Sequence, residues 1–330
     1  MSSRTENHSE PAHSLRLLVL GLAMLLGLLP ALGALADPRP KGALHLVVVS
    51  VCSTGPDTMD PEICRTTAKD LQDGFVEGFG VRPENTTVLV DETASGRNVV
   101  RTLESLAATL SVDDTLFVAV NTHGGPFETW NRAMVPDPTI RAIAGGGLAG
   151  DAYALEFWHD RPLGLPLTAL ENRDIVAFSD LLTAVAEIDA GVTLIIDSCY
   201  AGLAARTIDA VGRPASLELL VVSSGANQAA NLNEAQTASL FTGVLADALR
   251  GGSSTILEAL ATATADTAAQ AAEICTALGV EADIFAEILP DLPVPVSDRE
   301  DGLVLLPEWY CAQTPVIYDF GASNGEAAMQ

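Results

Sequence analysis

Two side chains in this sequence have the chemistry and the spacing of a catalytic pair, the thiol of Cys199 and the imidazole of His123. Cys199 stands in Asp-Ser-Cys-Tyr-Ala-Gly, directly after residues 192–196, an aliphatic and β-branched run typical of a buried strand. His123 follows a second apolar run, residues 115–120. A thiol attacks a carbonyl carbon when a nearby imidazole removes its proton, so the pair predicts acyl-transfer chemistry.

The two residues meet if the two apolar runs are neighbouring parallel strands. Open α/β sheets place their chemistry just beyond the carboxyl ends of the strands, so His123 and Cys199 would emerge at the same edge. A glycine follows each of them within a few residues, which lets the backbone approach a substrate closely. We expect the N–H groups of Gly124 and Cys199 to form an oxyanion hole.

Other roles for these residues are weighed against catalysis. A cysteine at the end of a strand also packs as a small buried hydrophobe, and a loop histidine also bonds to the backbone. His159, which is followed by an aspartate, is the rival general base. His45 lies inside the first predicted strand, where packing is the expected role.

The five cysteines support a free thiol at Cys199. An odd number leaves one cysteine unpaired if disulfides form. Cys52–Cys64 and Cys275–Cys311 are the natural local pairs, and they leave Cys199 as the nucleophile. Sequence alone does not fix the connectivity, so other pairings stay open.

The arrangement of the whole chain favours an α/β fold. Apolar strands alternate with helices whose apolar residues recur at helical spacing, the pattern of a mainly parallel sheet of about six strands with helices on both faces. Asp60 is expected to cap the first helix, with Pro61 in its first turn. The predicted boundaries are a domain over residues 37–312, with an insertion at 126–177 and a linker at 203–216, and a loose tail at 313–330.

A strand that ends in His-Gly, followed by one that ends in Asp-Ser-Cys-x-x-Gly, resembles the caspase-like cysteine peptidases. The metacaspases and their bacterial relatives are the most similar group, and the resemblance covers roughly residues 43–250. It implies a caspase-like fold and a Cys–His dyad formed by Cys199 and His123. It requires no third catalytic residue and no metal.

The resemblance also implies a specificity. In metacaspases the aspartate two residues before the cysteine helps to bind arginine or lysine at the cleavage position, and here that residue is Asp197. Asp57 or Asp60 could supply a second acid. The structural alternative is that Asp197 only caps a loop. The chain departs from the family at Tyr200, where metacaspases commonly have histidine, and at the Asn-Thr pair before His123.

Two further expectations concern activation. Relatives are cut between a large and a small fragment, and with specificity for basic residues Arg206 or Arg213 in the predicted linker could be the processing site. Relatives sometimes bind regulatory Ca²⁺, but the sequence shows no matching site. No metal or other cofactor is expected, because no cluster of His, Cys, Asp or Glu has ligand spacing.

The first 36 residues predict export. A polar segment with two arginines precedes the apolar run 17–36, which ends in Ala-Leu-Ala, a signal-peptidase site that would leave Asp37 as the new N-terminus. The alternative is an uncleaved membrane anchor, since 20 apolar residues span a bilayer. Either way, the rest of the chain is expected to be exported: it is periplasmic or extracellular after cleavage, and in the alternative it stays anchored to the membrane by residues 17–36.

The net charge of −26 makes nucleic acids and anionic membrane surfaces poor partners. Protein or peptide substrates are the expected partners, and the sequence does not determine the oligomeric state. Two other functions stay open: an inactive scaffold that keeps the fold, and a transamidase of the legumain-like group. A cysteine α/β-hydrolase is disfavoured because the elbow pattern Gly-x-Cys-x-Gly is missing.

Overall fold

The structure is a computed structural model, and it describes residues 42–52, 60–126, 152–158, 175–277 and 313–321. The predicted signal segment, Asp57, His159 and Cys311 lie outside these ranges, and so does the side chain of Cys275. The described strands, in chain order, are β1 Leu44–Ser50, β2 Thr86–Val90, β3 Thr115–Asn121, β4 His123–Pro126, β5 Tyr153–Glu156, β6 Ile175–Ala177, β7 Gly191–Asp197, β8 Leu217–Val222 and β9 Val316–Asp319.

Six of the strands form the main sheet in the order β2-β1-β3-β7-β8-β9. The first five run parallel, and β9 pairs antiparallel with β8 at the edge. The described helices are α1 Pro61–Asp73, α2 Gly96–Ala107, α3 Phe178–Ala186, α4 Leu203–Val211, α5 Leu240–Arg250 and α6 Ile256–Ala277. The prediction of an α/β fold on a mainly parallel, six-stranded sheet is confirmed.

Helices cover both faces of this sheet because successive strand residues point to opposite sides. On β7, Leu194 and Ile196 belong to one apolar core with residues of α2, α3 and α4. Ile195 belongs to the other core, with residues of α1, α5 and α6. The strands are buried on both faces, which explains why they are apolar along their whole length.

Helix α1 begins as predicted, with the Asp60 side chain accepting a 2.9 Å hydrogen bond from the backbone N–H of Glu62. It continues as a π-helical turn, Gly74–Gly78, which runs against the end of α5. A Cβ at Gly78 would collide with the backbone of Leu249, so this close packing needs glycine. The contact fixes α5, whose first turn lies at the candidate site.

The predicted insertion contributes two strands, β5 and β6, to a second, antiparallel sheet in the order β4-β5-β6. Its first strand begins at His123, so the histidine leaves the main sheet and enters the small one. The register pairs His123 with Glu156 and Gly124 with Leu155. Residues between Pro126 and Ala152 lie outside the described part of the chain.

The prediction of a linker at 203–216 is wrong for its first half, which is helix α4. Its composition of small residues suggested a loop, but Leu203, Ala204, Thr207 and Ile208 are buried on one side of the helix. That spacing is helical. Gly212, with a φ of 96°, ends the helix in a left-handed conformation that glycine adopts readily.

The prediction of a loose tail at 313–330 is wrong for residues 313–320. Val316–Asp319 forms β9, and Gln313 is 1 % exposed. Strand β8 has a free edge beyond β7, and pairing with β9 satisfies its backbone N–H and C=O groups. No helix among the described residues is both long and apolar enough to cross a bilayer.

Candidate active site

The carboxyl edge of the sheet brings the two predicted segments together. Strands β3 and β7 are parallel neighbours, with Asn121 in register with Asp197, so the predicted pairing is confirmed. The backbone N–H of Thr122 donates to the carbonyl of Asp197 at 3.3 Å. His123 and Cys199 therefore each lie two residues beyond a paired position on adjacent strands.

The backbone of Gly124 lies directly against the loop that carries the thiol. A Cβ added at this glycine would stand 2.7 Å from Ser198 Oγ and 2.9 Å from the carbonyl oxygen of Cys199. These distances are too short for any residue with a side chain. The structure thus juxtaposes the two segments that were predicted to form an oxyanion hole.

The turn after the strand is held in a specific backbone conformation. Tyr200 has a φ of 58°, a left-handed value that is uncommon for a bulky residue. Its N–H donates to the Gln228 carbonyl at 2.8 Å. The Ser224 hydroxyl donates to the Ser198 carbonyl at 2.9 Å and accepts from the Ala201 N–H at 3.1 Å. Loop 224–228 thereby fixes the peptide units on both sides of Cys199.

Cys199 is a free, half-buried thiol. Burial raises the pKa of the thiol above its ordinary value, and the nearby charge of Asp197 acts in the same direction. A hydrogen bond from the backbone N–H of Ala230 to the sulfur acts against both by stabilising the thiolate. At neutral pH this thiol is protonated, so attack on a carbonyl needs a base.

The other described cysteines agree with the local pairing. Cys52 and Cys64 form a disulfide, with their Cα atoms 5.6 Å apart. Cys64 Sγ lies 3.9 Å from the side-chain oxygen of Asn121, which places the bridge beside the end of β3. The expected pair Cys275–Cys311 falls outside the described residues.

Asp197 is 1 % exposed, and its two carboxylate oxygens differ. Oδ2 accepts hydrogen bonds from the hydroxyl of Ser239, and from the N–H at 3.2 Å and the hydroxyl at 2.6 Å of Thr242. These donors form the first turn of α5, so the carboxylate caps that helix and lies at the positive end of its dipole. Oδ1 is buried and has no hydrogen-bond partner among the described residues.

A row of polar side chains crosses the carboxyl edge of four adjacent strands. Ser50 is in register with Asn121, Asn121 with Asp197, and Ser223 follows the residue of β8 that pairs with Ile196. Ser223 is 0 % exposed, and its hydroxyl also has no partner in the described part of the chain. Neighbouring strands lie about 4.8 Å apart, so Ser223 and Asp197 are adjacent.

Two site residues escaped the sequence-based prediction. Ser223 carried a usable signal, because it is the polar residue that directly follows the apolar end of a strand. Asp197 follows the apolar residues of β7 in the same way. Tyr153 carried none, because only the folded chain shows that its hydroxyl contacts Ser198 and the Cys199 carbonyl.

The remaining predicted residues that the structure describes are exposed. Asp60 is exposed and caps α1. Arg206 is exposed within helix α4. Arg213 follows the helix, where its guanidinium donates to the Leu217 carbonyl at 2.8 Å and lies 5.0 Å from the centre of the Phe320 ring. Within the described ranges, no three His, Cys, Asp or Glu side chains are arranged to hold a metal ion.

No protein-family model matches the chain, and no curated protein matches it. Among solved structures, the chain is similar to caspase-1 from Spodoptera frugiperda, with a TM-score of 0.47 and 14 % identity over 84 % of this chain and 87 % of that one. It is also similar to a protein from Geobacter sulfurreducens, with a TM-score of 0.43 and 16 % identity over 66 % of this chain and 88 % of that one.

Proposed function

We propose that this protein is a cysteine endopeptidase of the caspase-like type, with Cys199 as nucleophile and His123 as general base. The observation that carries the proposal is the meeting of two sequence-remote segments at one sheet edge, with Gly124 packed against the carbonyl of Cys199. A free thiol, a histidine and closely packed glycine backbone at the carboxyl end of parallel strands are the components of acyl transfer.

The reaction begins when His123 takes the thiol proton and the sulfur of Cys199 attacks the substrate carbonyl carbon. The N–H groups of Gly124 and Cys199 hold the negative oxygen of the tetrahedral intermediate. The C–N bond then breaks, and His123 gives its proton to the leaving amine. Water, deprotonated by His123, hydrolyses the thioester and regenerates the thiol.

The raised pKa of Cys199 favours a concerted proton transfer over a stable ion pair. A thiol whose pKa lies above its ordinary value holds little thiolate at neutral pH. The base must therefore remove the proton as the sulfur attacks. Activity is expected to depend strongly on His123.

Specificity for arginine or lysine is supported by the buried carboxylate of Asp197. Its Oδ1 has no partner among the described residues, and an unpaired buried oxygen of this kind is costly. A guanidinium or ammonium group would satisfy both Oδ1 and the neighbouring hydroxyl of Ser223. Because Oδ1 is buried, a substrate side chain reaches it only when neighbouring residues of the protein move aside. Asp57 or Asp60 remain proposed as a second acid.

The test is peptide hydrolysis by the wild type, Cys199→Ala and His123→Ala. We expect the wild type to cleave after arginine or lysine, and each variant to lose at least about a thousandfold in kcat. His45→Gln is the matched control, since His45 lies at the opposite end of its strand from the site. Full activity in Cys199→Ala would overturn the proposal.

A scaffold without activity is the second candidate, and the burial of both Oδ1 of Asp197 and the thiol favours it. Labelling with a peptide electrophile that carries arginine distinguishes the two, because a scaffold leaves Cys199 unmodified. The transamidase alternative is tested in the same assay by mass spectrometry, since it joins the acyl group to an amine and releases no free acid.

We further propose export and processing. The Cys52–Cys64 disulfide is typical of an oxidising compartment. Arg206 and Arg213 are both proposed as processing sites: Arg206 lies within α4, where cleavage requires the helix to open, and Arg213 follows the helix but precedes Pro214, a poor residue after a scissile bond. N-terminal sequencing of protein recovered outside the cytoplasm tests export and processing, with Asp37 and either Thr207 or Pro214 as the expected new first residues. An intact chain with full activity would exclude required processing.

A further inference from the structure

Tyr153 reaches the active-site loop from the second sheet. It begins β5, its side chain is 0 % exposed, and its ring packs against Phe178 with centroids 5.9 Å apart. The ring is thus fixed by packing, which leaves the hydroxyl in a defined place. The hydroxyl lies at the end of β7, where the thiol loop begins.

The hydroxyl makes two hydrogen bonds, and their direction follows from the donors present. Tyr153 Oη lies 3.1 Å from the Cys199 carbonyl oxygen, which only accepts, so the phenol donates there. Its second contact is the hydroxyl of Ser198, which must then donate to Oη. Burial raises the pKa of the phenol far above its ordinary value, so the proton stays in place over the working pH range.

The same hydroxyl also lies against Gly124. A Cβ at that position would collide with Tyr153 Oη. One oxygen atom therefore contacts both halves of the site, the strand that begins at His123 and the loop that carries Cys199. Together with Ser224, which holds the Ser198 carbonyl at 2.9 Å, it fixes both peptide units that flank the nucleophile.

We propose that Tyr153 is a positioning residue that sets the register between the His123 strand and the Cys199 loop. The inference rests on the proposed peptidase activity, but it makes its own claim about the reactivity of the thiol. Without the hydroxyl, the Cys199–Tyr200 peptide keeps only the bond from the Tyr200 N–H to the Gln228 carbonyl, and its carbonyl end can tilt about that bond. The sulfur then moves relative to the Ala230 N–H and to the oxyanion donors.

The test is Tyr153→Phe, which keeps the packed ring and removes one oxygen. We expect kcat to fall about ten- to a hundredfold with KM within about threefold, since the effect is on alignment in the transition state. The rate of alkylation of Cys199 by iodoacetamide is measured from pH 6 to 10. Its midpoint is expected to rise, because the thiolate loses the Ala230 N–H.

Two variants keep the result interpretable. Tyr318→Phe on β9 is the matched control, and it should leave both kcat and the alkylation profile unchanged. Ser198→Ala removes the donor to Oη without touching the ring and should shift the profile in the same direction as Tyr153→Phe.

The same experiments distinguish a wrong role for Tyr153 from a wrong assignment of peptidase activity. A wild type that cleaves peptides, with Tyr153→Phe matching Tyr318→Phe in kcat and in alkylation profile, overturns the role of Tyr153 alone. A wild type without cleavage overturns the peptidase. The alkylation profiles then still decide the role of Tyr153, and identical profiles overturn it.

Discussion

An aspartate lies at each end of the main sheet, one half-buried and one buried, and the two differ in their hydrogen bonds. At the amino end, Asp114 bonds through both oxygens: Oδ1 accepts from the N–H of Ala43 at 2.7 Å, and Oδ2 accepts from the N–H and hydroxyl of Ser111, each at 2.8 Å. At the carboxyl end, Asp197 uses Oδ2 for α5, and its Oδ1 has no partner in the described part of the chain.

This difference in hydrogen bonding distinguishes Asp114, which stabilises a turn, from Asp197, which lies at the candidate site. Asp114 closes the turn before β3, and every oxygen it offers is used by neighbouring backbone. Buried polar atoms that the fold leaves unpaired are rare, and they call for an explanation. Oδ1 of Asp197 and the hydroxyl of Ser223 are two such atoms on adjacent strands, next to a free thiol. That combination is expected where a substrate completes the bonding.

Of the changes that compare the two ends of the sheet, removing the charge of Asp197 while keeping its shape should have the largest effect. In Asp197→Asn the amide oxygen still caps α5, but the amide nitrogen takes the place of Oδ1. We expect kcat/KM for arginine peptides to fall roughly 30- to 1000-fold, about 2–4 kcal/mol for a lost buried charge pair. Urea unfolding checks that stability changes by no more than about 2 kcal/mol.

Asp114→Asn is the matched variant for this comparison, because it makes the same chemical change at the other end of the sheet. Its cleavage of arginine peptides should equal that of the wild type. If Asp197→Asn also keeps full activity on arginine peptides, the carboxylate serves α5 alone and the basic specificity is wrong.

What could be predicted from the sequence follows from local signals. The apolar runs that form β3 and β7 marked where those strands end, and parallel pairing of the two strands then brought the segment after β3 against the loop after β7. Asp60 before Pro61 marked a helix start. What could not be predicted depends on tertiary contacts: Tyr153 acquires its position from a second sheet, and β9 is a strand only because β8 has an open edge.

Helix α4 is another element whose conformation depends on tertiary contacts. Its residues are small and include an arginine and a threonine, a composition that suggested a linker. Burial of Leu203, Thr207 and Ile208 against the sheet stabilises the helix, and the hydroxyl of Thr207 accepts from the N–H of Ala152 at 3.0 Å. Packing rather than intrinsic propensity decides such an element.

An intermediate effect is expected from the disulfide, which supports the carboxyl end only. The bridge closes a loop with a sequence separation of 12 residues. Cys52→Ser combined with Cys64→Ser should lower the free energy of unfolding by about 2–3 kcal/mol on the chain-entropy model. Urea titration measures it, and a reductant should reproduce the loss in the wild type. An unchanged midpoint in both would contradict a supporting role for the bridge.

The smallest effect concerns pH at the amino end. Hydrogen bonds from Ser111, and then from Ala43, lower the pKa of Asp114 below its ordinary value. A carboxyl with a lowered folded-state pKa stabilises the protein at pH values above its unfolded pKa of about 3.9, and the contribution is lost as pH falls through the folded value. Asp114→Asn should therefore be less stable than the wild type by about 1 kcal/mol at pH 7, since the side chain is partly exposed.

The difference in unfolding free energy between the wild type and Asp114→Asn should shrink as urea titrations are repeated from pH 5 down to pH 2, because the protonated wild type loses the charge that the variant lacks. A gap that stays constant over that range would show that the lowered pKa contributes nothing to stability, and the contrast between the two ends of the sheet would then concern geometry alone.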